Sequence, residues 1–286
     1  MKVLNITLVL VFICLGTVKS LAHSNDSNVH FLGNAGVMIV GKSNKILFDP
    51  FFHNHYGQYS LVPESIRQKI FNNELPYEDI DAVFISHIHD DHFDAKDLVR
   101  YMNLNTSVKL FVPAESRRQL DKQDNYSNVD SRITYVDINL GQEAVTFLAP
   151  SLTVDAVFIP HAGWPKMSVQ NIVFRVASHD DFTVMHLGDV GSKNKYFETH
   201  KVHWQQRKTH LALVPFWLGL SQPGYRIIDQ LINADTALGV HVPEDGHPAL
   251  GESGLDHFII PGDSRFIATS SHPSKDAHHN GQTKSQ

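Results

Sequence analysis

The sequence predicts an α/β or α+β domain in which helices cover β-sheets. Segments with strand periodicity and segments with helix periodicity are mixed along the whole chain rather than segregated into halves. The 286 residues, of which 42% are hydrophobic, are enough to build one large core. No internal repeat and no interdomain linker interrupts the pattern. We therefore expect a single domain over residues 23–269, flanked by two segments of different character.

The two flanking segments differ from the domain in composition. Residues 1–22 combine a charge at Lys2, an apolar run over 3–18 and the small-x-small site Ser20-Leu21-Ala22. This is the pattern of a secretory signal peptide. The alternative is a short membrane anchor, although the run is shorter than the about 20 residues that span a bilayer. We expect cleavage after Ala22 and export to the periplasm or the medium. Residues 270–286 are polar and without apolar period, which predicts a disordered tail.

The elements expected inside the domain are mostly short apolar strands. In chain order, strands are predicted for VHFLG, GVMIVG, KILFDPFF, DAVFISH, VKLFVP, RITYVD, EAVTFLAP, LTVDAVFIPH, NIVFRVAS, FTVMHLGD, HLALVPF and TALGVHVP. Helices are predicted for 63–72, DAKDLVRYMN with an aspartate N-cap, ESRRQLDKQ and YRIIDQLINA. Because the predicted strands and helices alternate along the chain, the fold class is α/β or α+β.

Composition narrows the chemistry available to this domain. The only cysteine, Cys14, lies in the predicted signal peptide, so disulfides and thiolate ligands are excluded from the exported protein. Nineteen histidines are a high count, and any metal must bind through His, Asp or Glu. The net charge is −6 and no basic patch is visible, which argues against nucleic-acid binding.

The stretch from Phe84 to Asp94, FISHIHDDHFD, concentrates histidines and aspartates. His87 and His89 are separated by one residue, so they point to the same side of an extended segment and can bind one cation. Asp91 and His92 follow at the turn into a helix, where they can face a second cation. Four candidate ligands exceed the need of one open catalytic site. The stretch therefore predicts two metal ions about 3.5–4 Å apart.

Three further candidate ligands stand at the ends of other apolar strands. We expect His161 to complete the ligands of the first ion and His241 those of the second, with Asp189 bridging the two. The residue types suit Zn²⁺ best, with Mn or Fe as alternatives. The predicted ligand set is His87, His89, Asp91, His92, His161, Asp189 and His241.

A two-metal centre of this kind predicts hydrolysis. Two cations lower the pKa of a bridging water towards about 7, and the resulting hydroxide attacks a carbonyl carbon or a phosphorus atom. Asp91 and Asp189 are the predicted catalytic carboxylates, with Asp189 positioning the hydroxide and taking its proton. Four positive charges against two carboxylates and one hydroxide leave a positive excess. That excess favours an anionic substrate or transition state.

These motifs resemble the metallo-β-lactamase superfamily over roughly residues 30–245. FISHIHDDHFD contains the pattern H-x-H-x-D-H, and Asp49 in KILFDPFF, His161 in IPHAG, Asp189 in HLGDVG and His241 in GVHVP follow in the family's order. The opening LGNAG is most similar to the ascorbate-lactonase-type branch, whose core also resembles N-acyl-phosphatidylethanolamine phospholipase D. The resemblance implies a four-layer αββα sandwich with the metals at one edge. Asp49 is then expected to hydrogen-bond the His/Asp loop rather than to bind metal.

The resemblance implies a hydrolase of a small ester, a lactone or a phosphodiester, acting on a small-molecule or lipid-derived substrate, and the signal-peptide pattern predicts that this hydrolase is exported. A membrane-facing groove is compatible with it, but the sequence does not locate one. Asp189 stands where the zinc β-lactamases carry cysteine, which disfavours antibiotic hydrolysis. The alternative of a different class is a non-catalytic metal-binding protein of the same fold.

Several other residues have two interpretations. His53 and His55 fit a surface loop better than a pocket, and His186, inside an apolar strand, fits a core histidine that donates a hydrogen bond. Asp90 is either solvated or tunes the site. Three aromatic residues near strand ends could form a pocket wall or pack in the core, namely Trp164, Phe216 and Trp217.

Overall fold

In a computed structural model of the chain, which describes residues 27–179 and 182–268, thirteen strands form two mixed sheets. The first sheet has seven strands in the spatial order β13-β1-β2-β3-β4-β5-β6. They are β1 (Asn28–Gly33), β2 (Gly36–Val40), β3 (Lys45–Phe48), β4 (Ala82–Phe84), β5 (Lys109–Pro113), β6 (Ile133–Val136) and β13 (Ser264–Phe266). Strands β3 to β6 run parallel, whereas β13, β1, β2 and β3 pair antiparallel.

The second sheet has six strands in the order β12-β11-β10-β9-β8-β7. They are β7 (Val145–Ala149), β8 (Leu152–Phe158), β9 (Ile172–Ser178), β10 (Thr183–His186), β11 (Thr209–Pro215) and β12 (Ala234–Val240). Strands β10, β11 and β12 are parallel, and the other pairs are antiparallel. Parallel strands end at one edge of a sheet, so the loops that follow them gather there.

Helices cover the outer faces of both sheets. They are α1 (Glu64–Phe71), α2 (Ala95–Leu104), α3 (Arg117–Leu120), α4 (Asn194–Glu198), α5 (Lys201–Gln205), α6 (Gln222–Arg226) and α7 (Leu250–Ser253), and a π-helical turn, Ile227–Leu231, continues α6. The predicted aspartate N-cap of α2 is confirmed, because the Asp94 side chain accepts a hydrogen bond from the Asp97 backbone N–H at 2.7 Å.

The hydrophobic core has three layers, which makes the molecule a four-layer αββα sandwich. The middle layer lies between the sheets and contains residues such as Phe84 and Phe174, whose rings are 5.3 Å apart. A second layer packs the first sheet against α1 and α2, and a third packs the other sheet against α4, α5 and the turn after α6. The single α/β domain predicted from the sequence is confirmed.

Some element boundaries differ from the prediction. The helix expected for ESRRQLDKQ is limited to α3 with a 3₁₀ turn before it, and the helix expected for YRIIDQLINA begins earlier, at Gln222 after its Ser221 cap. Strand β13 was not predicted, because its three residues carry no periodic signal. The predicted signal peptide and the whole predicted tail, residues 270–286, lie outside the described residues. Within residues 27–179 and 182–268, no helix has the length and apolar character needed to cross a bilayer.

A buried ion pair ties β8 to β9 on the helix-covered face of the second sheet. The Arg175 guanidinium donates to Asp155 Oδ2 at 2.9 and 3.0 Å, and both side chains are almost fully buried. Burial opposes ionisation of Asp155, but hydrogen bonds from His203 and Thr146 and the charge of Arg175 hold its pKa below the ordinary value. Because only the ionised carboxylate gains from these contacts, their stabilising effect is present above about pH 4 and is lost as the pH falls further.

Breaking this pair should destabilise the fold strongly. In Arg175→Met, Asp155 stays buried without its cation, so we expect the free energy of unfolding to fall by about 3–5 kcal/mol. Arg226→Met is the matched control, since its pair with Glu198 is about half exposed, and it should cost less than about 1 kcal/mol. Urea titration of both variants measures the difference. Equal losses would contradict the prediction.

Candidate metal centre

Five strand ends meet at one edge of the sandwich, where they place histidine and aspartate side chains. Asp49 directly follows β3 and His241 directly follows β12. His87, His161 and Asp189 each come three residues after the end of a strand, namely β4, β8 and β10. The first sheet and the second sheet therefore both contribute to one site, as the sequence pattern predicted.

The seven predicted ligands form two adjacent groups. Each group contains side-chain nitrogen or oxygen atoms that all lie within 4.8 Å of one another. The first group is His87, His89 and His161, and the second group is Asp91, His92, Asp189 and His241.

Asp189 stands between the two groups. Its Oδ1 lies 3.4 Å from His92 Nε2, and its Oδ2 lies 3.4 Å from His161 Nε2 and 4.0 Å from His87 Nε2. His241 Nε2 is 3.0 Å from Asp189 Oδ2 and 3.2 Å from an oxygen of Asp91. One carboxylate thus reaches both groups, as expected of a bridging ligand.

The distances fit cation ligands better than hydrogen bonds. Around a tetrahedral zinc ion with bonds of 2.0–2.1 Å, two ligand atoms are about 3.4 Å apart. The separations above scatter around this value, as does the 3.1 Å between His87 Nε2 and His89 Nδ1. Five buried atoms of the two groups lack any hydrogen-bond partner: Nε2 of His92 and of His161, both ring nitrogens of His241, and Oδ1 of Asp189. Buried polar atoms without a partner are costly, and two cations would satisfy four of them, all except Nδ1 of His241.

Hydrogen bonds from outside the two groups fix the histidine rings. His92 Nδ1 contacts Asp49 Oδ2 at 2.8 Å, and Ser86 Oγ donates to the same oxygen at 2.6 Å. His87 Nδ1 lies 3.0 Å from Ser86 Oγ, and His161 Nδ1 donates to the Ala162 carbonyl at 2.7 Å. Because Nδ1 is engaged in each of these three rings, Nε2 is left to bind a cation. Asp49 therefore occupies the supporting position expected for it.

Two asparagines that the sequence did not single out support the aspartates. Asn34 donates from Nδ2 to the Asp91 carbonyl at 2.9 Å and to its Oδ2 at 3.2 Å. Asn171 accepts the Asp189 backbone N–H at 2.9 Å through Oδ1. Its Nδ2 holds the ends of β8 and β10 through the carbonyls of Ile159 and Leu187. Asn34 lies in the LGNAG motif, which was the only sequence signal for either residue.

Burial and charge act against each other at the centre. Burial opposes ionisation of Asp189, but the charges of His241 and His92 hold its pKa well below the ordinary value. Burial alone would lower the pKa of His92, yet the Asp189 and Asp91 carboxylates raise it well above the ordinary value. The pKa of His87 is lowered by burial and by the charge of His92. The site therefore holds ionised carboxylates that require a positive partner, which bound cations would provide.

Two aromatic side chains pack against a histidine of the centre. Tyr59 and Trp217 both contact His241, with ring centroids 4.1 and 5.3 Å away in edge-on geometry. Burial and the nearby Asp189 and Asp91 carboxylates raise the pKa of Tyr59 to about 12. Among the seven predicted ligands only His89 is partly exposed, so the centre opens to solvent at this residue.

A cavity of about 210 Å³ adjoins the first ligand group. His161, Trp164, Tyr196 and Trp217 line it, together with the exposed Lys193. The two tryptophans therefore form a pocket wall, whereas the third aromatic candidate, Phe216, packs in a core cluster with Val242 and Leu250.

The remaining candidates lie outside the two ligand groups. His53 is on the surface, as expected, and contacts Asp97 at 3.0 Å. His53, Asp94 and Asp97 form a third His/Asp group. The Asp97 carboxylate is already paired with the Arg67 guanidinium at 2.7 Å, so this group needs no metal ion to balance that charge. His186 is a core histidine that donates from Nε2 to the Ala35 carbonyl at 2.9 Å, as predicted. Asp90 is exposed, which fits a solvated side chain.

Comparison with known proteins identifies the fold family. Residues 44–242, more than half of the chain, match the family model of the β-lactamase superfamily domain. The chain belongs to the metallo-β-lactamase superfamily. The motifs that carried the resemblance in the sequence lie inside or beside the matched range, so the recognition is confirmed.

Two curated relatives match this chain over part of their own length. N-acyl-phosphatidylethanolamine-hydrolyzing phospholipase D 1 of Caenorhabditis elegans is 28% identical over 220 residues, which cover 74% of this chain and 59% of that protein. The UPF0173 protein YddR of Bacillus subtilis is 32% identical over 111 residues, 36% of this chain and 42% of that protein. The chain thus spans about half the length of these curated relatives.

A solved structure supports the fold. Igni18, a metallo hydrolase from Ignicoccus hospitalis, superposes with a TM-score of 0.56 at 16% identity, over 85% of this chain and 99% of that one. At this identity the likeness concerns the metallo-β-lactamase fold and not the substrate.

Replacing Gly188 should disturb the centre through Asp189. Gly188 has φ of +57°, and an added Cβ would collide with Asn171 Oδ1 and lie 2.8 Å from Ser86 Cβ. We expect Gly188→Ala to push Asn171 away from the Asp189 backbone and to lower the amount of metal bound per chain relative to the wild type. Elemental analysis of the purified variant measures this.

Gly246→Ala is the matched control for backbone strain. Its φ is +77°, but the nearest atom to an added Cβ is 3.8 Å away. It should cost about 1–2 kcal/mol of stability and leave the metal content unchanged. Full metal occupancy in Gly188→Ala would show that Asn171 does not position Asp189.

Proposed function

We propose that the protein is a metal-dependent hydrolase that holds two divalent cations between its sheets. The observation that carries this proposal is the convergence of four buried, unpartnered ligand atoms at the spacing of metal ligands. The residues that would hold the cations are His87, His89, Asp91, His92, His161, Asp189 and His241. Imidazole and carboxylate ligands without thiolate favour zinc, with manganese and iron as alternatives.

Different side chains of the centre have different roles in the proposed hydrolysis. When bound, two such cations act as Lewis acids and make a shared water acidic enough to react near neutral pH. Asp189 stands between the two ligand groups, where its carboxylate orients the attacking water and takes its proton. Asp49 and Ser86 hold His92 and His87 in place, so no rearrangement of these rings is needed during the reaction.

An anionic phosphodiester fits the surroundings of the centre best. The cavity beside His161 combines the aromatic surfaces of Trp164 and Trp217 with the charge of Lys193. A substrate with a negative phosphodiester next to an apolar group would use both features. The nematode relative, an N-acyl-phosphatidylethanolamine-hydrolyzing phospholipase D, supports the same choice.

A lactone or another acyl ester is the second candidate. The aromatic lining supports it, since a neutral apolar ring or acyl chain can fill the cavity without a charge partner. In either case Asp189 has the same role, because attack on a carbonyl carbon and on phosphorus both require a deprotonated water.

Removal of central ligands should abolish metal retention and turnover together. We expect Asp189→Ala and His87→Ala to lose bound zinc or manganese and at least about 100-fold in kcat on an aryl phosphodiester. His53→Ala is the control outside both ligand groups and should keep the wild-type rate. A simple lactone is assayed in parallel, with elemental analysis of every variant.

The outcomes separate the hypotheses. Phosphodiester turnover that Asp189→Ala loses supports the first candidate, and lactone turnover alone supports the second. Two bound metals without turnover of either substrate would favour the non-catalytic metal-binding protein. Full activity of Asp189→Ala would overturn the proposed centre.

We also propose that the enzyme is exported. The support is the charged, apolar and small-residue pattern of residues 1–22, which lie outside the described part of the chain. Expression of the full chain in a bacterium with a periplasm should yield a periplasmic protein that begins at His23, as intact-mass measurement would show. Ala22→Arg should block cleavage. Wild-type protein that starts at Met1 in the cytosol would refute export.

A further inference from the structure

The loop between β3 and α1 borders the metal centre at His241 and carries two tyrosines. Tyr59 is half-buried, whereas Tyr56 is 54% exposed. The loop is fixed to the segment that follows β12: Tyr59 pairs with Pro243 in an isolated bridge, and the Glu244 N–H donates to the Gln58 carbonyl at 2.7 Å. Tyr59 is therefore held by the same segment that presents His241.

The Tyr59 ring stands edge-on against His241, with 4.1 Å between centroids and 76° between planes. Its hydroxyl forms no hydrogen bond within residues 27–179 and 182–268, although half-buried tyrosines ordinarily find a partner for this group. The ring lies against His241, whose Nε2 is 3.0 Å from Asp189 and 3.2 Å from Asp91. The hydroxyl is therefore a free donor beside the predicted ligand set.

A phenol hydroxyl in this position can donate a hydrogen bond to the substrate. Free phenols lose their proton only near pH 10, so near neutral pH the group is a neutral donor. A fixed donor aimed at the oxygen that gains charge during attack lowers the barrier, because it needs no reorganisation. The carboxylates beside it are acceptors that would hold the cations, which would leave the hydroxyl for the substrate.

We propose that the Tyr59 hydroxyl is a catalytic residue, which donates a hydrogen bond to the charged oxygen of the substrate as the attacking water adds. The inference rests on the proposed hydrolase function and adds a donor outside the ligand set. The substrate oxygen that accepts is a phosphoryl oxygen, or the carbonyl oxygen of an ester.

The test compares Tyr59→Phe with Tyr56→Phe in the full chain loaded with zinc. Phenylalanine keeps the ring against His241, so metal content should stay at the wild-type value. We expect Tyr59→Phe to lower kcat on an aryl phosphodiester about 100-fold with little change in KM, since the bond strengthens in the transition state. Tyr56→Phe, on the same loop and near the same carboxylates, should stay within about twofold of the wild type.

Titration with inorganic phosphate gives a second readout that does not require turnover. Calorimetry should show phosphate binding at least about tenfold more weakly to Tyr59→Phe than to the wild type and to Tyr56→Phe. If no hydrolysis is found but phosphate binds more weakly to Tyr59→Phe, the proposed function fails while the hydroxyl is still shown to donate to a bound anion.

Three results would overturn the inference. One is a wild-type rate and phosphate affinity in Tyr59→Phe. Another is an equal loss in both tyrosine variants, which would assign the effect to the loop. The third is loss of metal from Tyr59→Phe, which would make the residue a support for His241. A wild type that neither turns over nor binds phosphate would overturn this inference and the proposed function together.

Discussion

The Asp49 carboxylate, buried at the end of β3, organises the loop that carries most of the candidate ligands. It accepts the Ser86 backbone N–H at 2.7 Å, the Ser86 hydroxyl at 2.6 Å and the His92 ring at 2.8 Å. Its own backbone N–H donates to the Phe84 carbonyl, so β3 and β4 are held together where they end. A buried carboxylate is stable only when its oxygens are hydrogen-bonded, and here that requirement fixes the ligand loop.

Three residues of the centre have left-handed backbone conformations that residues other than glycine rarely adopt. Asn34, Asp49 and His241 all adopt positive φ, at 49°, 43° and 60°. Such conformations are sparsely populated by residues other than glycine and persist where the surroundings enforce them. The enforcing contacts are present, since the Asn34 carbonyl accepts the His241 N–H at 2.9 Å. Strain and unpartnered atoms at one edge are tolerated because three apolar layers stabilise the rest.

The sequence revealed the ligands more readily than their supports. Histidines and aspartates directly after apolar strands are conspicuous, and parallel strands bring such ends to one edge, so all seven predicted ligands meet. Asn171 and Tyr59 were not foreseen, because an asparagine before a strand and a tyrosine in a loop are common everywhere. Their roles depend on contacts between segments far apart in the chain, such as Asn171 with the ends of β8 and β10. Helix lengths such as that of α3 also depend on tertiary packing.

The division of the ligands between the two sheets has a mechanical consequence. The loop after β4 supplies four of them, and the loops after β8, β10 and β12 supply the other three. Bound cations would therefore act as a reversible cross-link that clamps the sandwich at one rim, while the inter-sheet core holds the remainder without help. Chelation should then loosen that rim first and expose its loops to proteases, with the packed interior still intact.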